Sequence, residues 1–480
     1  MTEHVDAPGD VSPDAPERTR TIRELFASRH AALAVGVLLL EFSAGLTVYV
    51  SAVVVPAVIA DLQAARDYPL IVSATSVGLF LSLVAAARLL RRIGPRPVLA
   101  AGLILTVAGA LVSAAAGSAL VFACGRFAAA LGSGLLGVFG TAAVIASVPP
   151  GYRTRLFALT SAMWILPGMI GPSAAVALVH AVGWRFTLLT VVPLVLVARI
   201  LVGRAALRTG AHARDETPVE RRPLSVSLLL PAGMAFFVFG SAGSLGNWSL
   251  LGLAVALVGA VGLLPAGTVR LADGPPRFLA LLAVVCFGYF GADALMTAMG
   301  TRADGLPLIW VSVALGASAV CWSLGSMMQP RLSGLQGQRG RAVLATGAGT
   351  MAAGAGGIVA MQTVGAVTGP LLFAAWCVAG FGMGLAYPIL YLRSTTATTT
   401  RALDAGTLAT AVLVAESVGS VLGAAAGSAI VDVAQRIGAS EAEGLHASMF
   451  AFTAALVLGV PIALMRRREG AARAAATAGS

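Results

Sequence analysis

Two consecutive apolar stretches decide the fold: LFALTSAMWILPGMIGPSAAVALVHAV at residues 156–182 and WRFTLLTVVPLVLVARILV at residues 184–202, with only Gly183 between them. An α-helix rises 1.5 Å per residue, so about 20 apolar residues cross a hydrocarbon layer about 30 Å thick. Backbone polar groups inside such a layer must bond to one another, which favours a helix for each stretch. The pair therefore predicts two membrane-spanning helices joined by a very short connection.

The same pattern recurs along the chain of 480 residues. Hydrophobic residues make up 58% of it and charged residues only 11%, whereas soluble domains carry about a quarter charged residues. We count fourteen apolar runs, which predict an all-α integral membrane protein with 14 transmembrane helices. The runs cover residues 31–60, 69–90, 98–116, 120–148, 156–182, 184–202, 228–246, 250–266, 278–300, 306–328, 342–364, 367–392, 403–433 and 445–465.

The spacing of these runs predicts two six-helix bundles related by pseudo-symmetry, because many transporters are built from internal repeats around a central site. Two additional helices lie between the bundles. The predicted divisions are a disordered cytoplasmic tail at 1–30, the N-terminal six-helix bundle at 31–203, a cytoplasmic linker at 204–226, the two additional transmembrane helices at 227–270, the C-terminal six-helix bundle at 277–466 and a cytoplasmic tail at 467–480.

Arginine placement predicts the orientation, because cytoplasmic loops carry the excess of cationic residues. The chain has no lysine, and 26 of its 32 arginines fall in the predicted tails and alternate loops. Both termini are therefore expected in the cytoplasm, with an even number of spans in the plasma (inner) membrane. The two arginines inside predicted helices are Arg126 and Arg199.

Several other classes of function are disfavoured. The net charge of +11 is concentrated at helix ends facing an anionic leaflet, so it does not indicate nucleic-acid binding. The four cysteines are dispersed in apolar runs and the five histidines lack zinc-ligand spacing, so we expect no metal and no cofactor. A phosphate-binding loop with lysine is impossible here, which excludes ATP as the direct energy source by that motif.

Particular motifs resemble those of the major facilitator superfamily, and in order and position they cover about residues 31–466. The end of the first run resembles that family at Pro56 and Asp61. The other matching residues are the basic loop Arg91, Arg92, Ile93, Gly94, Pro95 and Arg96; the fourth-run motif Arg126, Phe127, Leu131, Gly132 and Gly134; and Gly168, Met169, Ile170, Gly171, Pro172, Gly183, Trp184, Arg185, Phe186 and Pro193 in the fifth and sixth runs.

The two additional helices are similar to the fourteen-helix drug:proton antiporter branch of that family. This resemblance implies a proton-coupled transporter that exports small lipophilic or cationic compounds, such as drugs or antibiotics, by alternating access. The conformational motif would comprise Arg92, Gly94, Arg96, Gly168, Gly171 and Pro172. This chain departs from the resembled family at two places in that motif. Arg91 replaces the Asp that is usual in the loop, and only Gly171 and Pro172 match the signature of the family's antiporter helix.

Ionisable residues within predicted helices are the candidates for the chemistry, because a charge at the bilayer centre costs about 2.5–3.5 kcal/mol on insertion scales. Glu41 lies about 15 Å into the first run, near mid-depth. An isolated carboxyl there favours its protonated form, and a nearby cation favours the ionised form. We therefore predict that Glu41 couples protons to transport by pairing with Arg126 when ionised. The alternative is a static ion pair that ties two helices together.

Asp293 and Glu416 are the candidates for substrate contact or a second proton site, since both fall inside predicted helices. If the bundles are repeats, Asp293 lies on the helix that corresponds to that of Glu41. Either residue could instead be a buried protonated carboxyl bonded to a neighbouring helix. The expected partners are a small-molecule substrate, protons and the lipid bilayer, with the protein acting as a monomer.

Other interpretations stay open. Proton-coupled uptake of a small metabolite is the alternative to export. A membrane-embedded enzyme would need a nucleophile with a base at matching depth, and Ser241 and Ser244 have no convincing histidine partner. A receptor or scaffold would not need buried acids. Drugs, dyes, antibiotics, sugars and lipid-like metabolites all remain possible substrates.

Overall fold

The computed structural model describes residues 22–64, 67–208, 224–241, 246–332, 338–396 and 405–465. Within these ranges the regular structure is helical, with no strand. The helices are α1 (Ile22–Ala27), α2 (Ala31–Asp61), α3 (Tyr68–Ile93), α4 (Pro95–Ala114), α5 (Ala119–Ser147), α6 (Pro150–Ala162), α7 (Ile165–Leu189), α8 (Val192–Arg208), α9 (Leu224–Ser241), α10 (Gly246–Leu263), α11 (Pro275–Ala298), a π-helical turn (Met299–Ala303), α12 (Leu308–Leu332), α13 (Gln338–Thr363), α14 (Gly369–Ser394), α15 (Ala405–Arg436) and α16 (Glu441–Leu464).

Eleven helical segments of the described chain are long and apolar enough to cross a membrane. Two shorter apolar segments, Ser225–Phe237 within α9 and Leu251–Leu263 within α10, lie between the halves of the chain. The described parts of the predicted apolar runs are almost entirely helical, which confirms the all-helical membrane class. The total of fourteen spans and the pseudo-symmetry of the bundles stay predictions, as do the domain divisions.

Two local interruptions have clear causes in the sequence. Gly183 adopts φ 81° and ψ 163° inside the range of α7, a conformation that glycine reaches without steric cost, so the chain changes direction between the fifth and sixth predicted runs. The break between α6 and α7 precedes Pro167. Proline has no N–H to donate and its ring clashes with the carbonyl four residues earlier, which here belongs to Met163. The fifth predicted run is therefore divided into two helices.

The C-terminal part of the predicted disordered tail is helical in the structure. Residues 22–27 form the short helix α1, although residues 1–30 were predicted to be disordered. Leu25 is fully buried in the hydrophobic core, and this burial stabilises the turn of helix. The remaining predicted tails and most of the linker, residues 1–21, 209–223 and 466–480, lie outside the described residues.

The helices pack as two halves, residues 31–208 and 275–465, with α9 and α10 forming a hairpin beside α3 and α15. Small residues permit the closest approaches. A Cβ atom on Gly423 of α15 would lie 2.4 Å from the backbone oxygen of Phe287 and 2.9 Å from the Cα atom of Gly291, both in α11. Backbone-to-backbone contact of this kind is the usual means of packing helices in lipid, where the hydrophobic effect does not drive association.

The two halves meet at the end of the bundle that carries the arginine-rich loops. Here α6 packs against α12 and α14, while α15 packs against α3 and α5. Arg91 Nη1 donates to Thr407 Oγ1 at 3.3 Å across this interface. At the opposite end, the described ion pairs of Asp61 with Arg185 and of Glu441 with Arg302 each join residues of a single half.

Candidate functional site

Glu41 lies at the eleventh of the 31 residues of α2, and its side chain is partly buried. The carboxylate oxygen Oε2 accepts a hydrogen bond from Trp164 Nε1 at 3.2 Å. Trp164 stands between α6 and α7, because the helix is interrupted ahead of Pro167. The interruption therefore places an indole N–H, rather than another aliphatic side chain, beside the membrane carboxyl.

Glu416 lies in α15 of the other half and accepts hydrogen bonds from two phenols of α14. Tyr387 Oη donates to Oε1 at 2.6 Å, and Tyr391 Oη donates to Oε2. Tyrosines four residues apart lie on the same face of a helix, so both can reach one carboxyl group. The two donors satisfy both oxygens of Glu416 in an environment where an unsatisfied polar atom is costly.

The structure brings Glu41 and Glu416 together from opposite halves. The two carboxyls interact electrostatically with each other, and Glu41 also interacts with Tyr391 beside Glu416. Phe157 of α6 packs on Tyr391 with ring centroids 5.4 Å apart, so the same region is also a packing contact between halves. Two predicted site residues thus interact between the halves, and this interaction was not predicted from the sequence.

Arg126 is placed elsewhere. Its Nη2 donates to Ser51 Oγ at 3.0 Å, and Ser51 lies ten residues beyond Glu41 in α2, about 15 Å along the helix axis. The predicted pairing of Glu41 with Arg126 is therefore not made in this conformation. The two groups lie at different levels because α2 continues for twenty residues past Glu41, whereas Arg126 is only the eighth residue of α5. Its part in proton coupling stays a prediction.

Asp293 lies in α11 with a partly buried side chain. It interacts electrostatically with Tyr49 of α2 and with Tyr289 one turn earlier in its own helix. The indole N–H of Trp376 is also near the Asp293 carboxyl, but without the geometry of a completed hydrogen bond. Asp293 thus interacts electrostatically with a residue of α2 in the other half.

A chain of aromatic rings connects the surroundings of Asp293 with those of Glu416. Trp376 stacks on Tyr289 with centroids 5.1 Å apart, and Tyr387 lies 4.8 Å from Tyr391. Trp322 of α12 joins these pairs, at 5.7 Å from Tyr289 and 5.4 Å from Tyr387. The rings come from α11, α12 and α14, so their convergence depends on tertiary packing. The four-residue spacing of Tyr387 and Tyr391 was the one sequence signal that could have indicated part of the cluster.

The predicted loop motif lies between α3 and α4. Arg92 is in the last turn of α3, Arg96 is in the first turn of α4, and Gly94 between them has φ 82°. An L-residue with a side chain rarely adopts that backbone conformation, so glycine permits the sharp turn. Arg91, at the position where the resembled motif has Asp, contacts Thr407 of the other half.

The second part of the predicted conformational motif lies in α7 against α2. A Cβ atom on Gly168 would be 3.1 Å from Tyr49 Oη, and one on Gly171 would be 3.0 Å from Tyr49 Cβ. The two glycines therefore let α7 pack closely against this tyrosine. Pro172 follows within α7, and its side chain lies outside the described part. Tyr49 also interacts with Asp293, so this motif adjoins the membrane acids.

Across the described ranges, no group of three or more His, Cys, Asp or Glu side chains could hold a metal ion. The polar groups of the site are instead carboxyls, phenols and indoles. This set can exchange protons and can contact a cation or an apolar ring.

Comparison with known proteins gives consistent results. The sequence pattern of the Major Facilitator Superfamily matches residues 37–424. Two proteins described as probable multidrug-efflux transporters, from the CDC 1551 / Oshkosh and H37Rv strains of Mycobacterium tuberculosis, are each 26% identical over 423 residues, which is 84% of this chain and 88% of theirs.

Solved structures agree on the fold. The human organic anion transporter MFSD10 (TETRAN) superposes with a TM-score of 0.63 at 14% identity, covering 90% of this chain and 99% of that one. A bacterial homologue of the iron transporter ferroportin in its outward-facing state gives 0.63 at 14% identity, covering 91% and 98%. The proton:xylose symporter XylE gives 0.59 at 14% identity, covering 91% and 95%.

Proposed function

Because this chain belongs to the Major Facilitator Superfamily, whose members are membrane transporters, we propose that it is a proton-coupled exporter (antiporter) of small lipophilic or cationic compounds that works by alternating access. The observation that carries the proposal is the pair of carboxyls, Glu41 and Glu416, contributed by opposite halves at their interface. The multidrug-efflux descriptions of the mycobacterial relatives support export as the direction.

The carboxyl pair supplies a reason for proton coupling. Two nearby carboxyls shielded from water repel each other when both are ionised, so the pair favours retention of at least one proton. Separation of the halves and entry of water favour release of that proton. Occupancy by protons and the conformation of the halves are then linked. Each proton entering down its gradient supplies about 2.3 kcal/mol per 100 mV and about 1.4 kcal/mol per pH unit.

The aromatic chain supports the substrate class. Aromatic faces attract cations and contribute apolar contact area, and a carboxyl at each end of the chain adds electrostatic attraction. Asp293 and Glu416 are the substrate or second proton sites in this scheme, while Glu41 and Arg126 serve proton coupling. A substrate that binds as a cation could compete with the proton at Glu416, which is the exchange that antiport requires.

The remaining features belong to the same proposal. The hairpin of α9 and α10 between the halves supports the fourteen-helix drug:proton antiporter branch. Arg92, Gly94, Arg96, Gly168, Gly171 and Pro172 would form the parts that move between states. The arginine distribution favours the plasma membrane with both termini cytoplasmic. The partners are protons, a small-molecule substrate and the bilayer, and the transporter acts as a monomer.

Proteoliposomes containing the purified protein provide the test. With an imposed pH gradient, we expect concentrative movement of lipophilic cations in the direction opposite to the protons, and loss of it in Glu41→Gln. Asp432→Asn, which changes an exposed carboxyl near the end of α15, is the matched control. Movement of substrate in the same direction as the protons would establish the uptake alternative. A gradient-independent rate in the wild type would exclude proton coupling.

A further inference from the structure

A second intramembrane arginine, Arg199 in α8, has no place in the site predicted from the sequence. Its side chain is only 7% exposed, and its Nε and Nη1 atoms are buried with no hydrogen-bond partner. A guanidinium is charged at all physiological pH values, and leaving its donors unpaired away from water is costly. Such a group is expected to find an acceptor in another state of the protein.

The packing of α8 on α2 identifies the level at which Arg199 lies. In the segment that follows the Gly183 turn and leads into α8, Trp184 Nε1 donates to Asp61 Oδ2 at 3.0 Å, at the last residue of α2. Near the other end, a Cβ atom on Gly36 would be 2.7 Å from Val202 Cγ2. The helices therefore run antiparallel, and this register places Arg199 opposite the residues that immediately precede Glu41. A rise of 1.5 Å per residue separates the two levels by about 3 Å.

Glu41 is the carboxyl that interacts electrostatically with Arg199. No ion pair joins the two side chains in this conformation, since Glu41 is bonded to Trp164 instead. The site therefore contains a membrane acid and an unpaired membrane cation at neighbouring depth, on helices in direct contact.

Other charged groups around α8 are farther away. The helices that pack against it are α2, α4, α5 and α7. Their remaining described charges lie near helix ends, at Arg96, Asp61, His180 and Arg185, except for Arg126, which bonds to Ser51 about 15 Å along α2 from Glu41. Glu416 of α15 also interacts electrostatically with Glu41.

We propose that Arg199 is the positioning residue that receives the Glu41 carboxylate when Glu41 loses its proton, a role distinct from that of Arg126, which bonds to Ser51 about 15 Å along α2. In this exchange the proton passes from the Glu41 carboxyl to water, and the resulting carboxylate accepts hydrogen bonds from the free Nε and Nη1 donors of Arg199. Reprotonation removes the charge and releases the pair. The inference rests on the proposed proton coupling and identifies the cation of that same site.

The test measures proton release from the purified transporter on addition of a lipophilic cation such as tetraphenylphosphonium, as a function of pH. A neighbouring cation favours the ionised carboxylate, so its removal in Arg199→Gln should move the midpoint of release upward by about one to three pH units. Arg199→Lys retains the charge and should remain close to the wild type. Arg204→Gln is the control, because Arg204 is an exposed arginine of the same helix.

A Glu41→Gln background separates pairing from a general structural role. If Arg199 acts through Glu41, Arg199→Gln should produce no further displacement of the remaining titration in that background. An unchanged midpoint in Arg199→Gln, or an equal displacement with and without Glu41, would overturn the inference while leaving proton coupling intact. If Arg199→Gln does not fold, a midpoint in Arg199→Lys displaced by more than one unit would count against it. Absence of proton release from the wild type would overturn both proposals.

Discussion

Glu41 of α2 and Glu416 of α15 interact electrostatically although they belong to opposite halves of the chain. Each carboxyl is held by aromatic donors, an indole for Glu41 and two phenols for Glu416. Under the proposed alternating access, the protonation of one acid would depend on the charge of the other at the surface along which the halves separate.

The first prediction concerns this dependence. Because a like charge disfavours ionisation, Glu416→Gln should let Glu41 release its proton at lower pH, moving the midpoint of release downward by about one pH unit. The measurement is proton release from purified protein over a pH series. Asp432→Asn is the control for loss of a distant carboxyl. A midpoint identical to that of the wild type would show that the two acids titrate independently.

The second prediction tests the aromatic chain as a cation site. Trp322→Ala should weaken binding of a lipophilic cation by about 2- to 30-fold, since a cation over an aromatic face contributes about 0.5–2 kcal/mol. A neutral analogue of similar shape should lose less affinity. Equilibrium binding in detergent measures both ligands. The control is Trp310→Ala, which removes an indole near the start of the same helix, where it packs on Gly369. Equal losses for both ligands would indicate packing alone.

The third prediction concerns the contact of α15 with α11. Gly423→Ala should lower the free energy of unfolding by about 1–3 kcal/mol, because the added methyl would lie 2.4 Å from the Phe287 backbone oxygen and cannot be accommodated without backbone movement. Thermal unfolding in detergent provides the measurement. Gly349→Ala in α13 is the matched control, since nothing lies within 4 Å of its Cβ position. A variant as stable as this control would contradict the packing argument.

The fourth prediction concerns the helix that carries the second conformational motif. Pro172→Ala should fold with wild-type stability and transport poorly, because restoring a backbone donor stiffens a helix that must bend between states. Initial transport rates in proteoliposomes, together with melting curves, separate the two effects. Pro193→Ala is the control, since Pro193 lies in the first turn of α8, where a missing donor costs little. Wild-type rates in Pro172→Ala would refute the prediction.

Hydropathy was sufficient to predict the helices, because a membrane leaves the backbone no alternative to internal hydrogen bonding. The runs at 156–182 and 184–202 illustrate its limit. Their division at Gly183 was evident from the sequence, whereas the interruption at Met163 and Trp164 was not. That break arises from a single proline, Pro167, whose effect on the backbone is local. Because the residues around the break are apolar, the hydropathy of the run does not reveal it.

The sequence was sufficient to predict which acids belong to the candidate site, but not which residues surround them. Glu41 and Glu416 are evident because a carboxyl stands out in an apolar run, but the interaction between them depends on the tertiary arrangement of the two halves. Arg126 was paired with Glu41 by an estimate of depth, and the observed lengths of α2 and α5 place it beside Ser51 instead. Arg199 was noticed as an arginine within a helix, yet its relation to Glu41 required the register of α8 on α2.

The break between α6 and α7 divides one crossing of the membrane into two rods with different attachments. Of these, α6 packs mainly against α12 and α14 of the opposite half, whereas α7 packs mainly against α2 of its own half. Trp164, at the joint between the rods, holds the Glu41 carboxyl. Under the proposed proton coupling, a proton that binds Glu41 would act at the hinge between α6 and α7, where a small change of angle would displace both helices and, with them, the halves they contact.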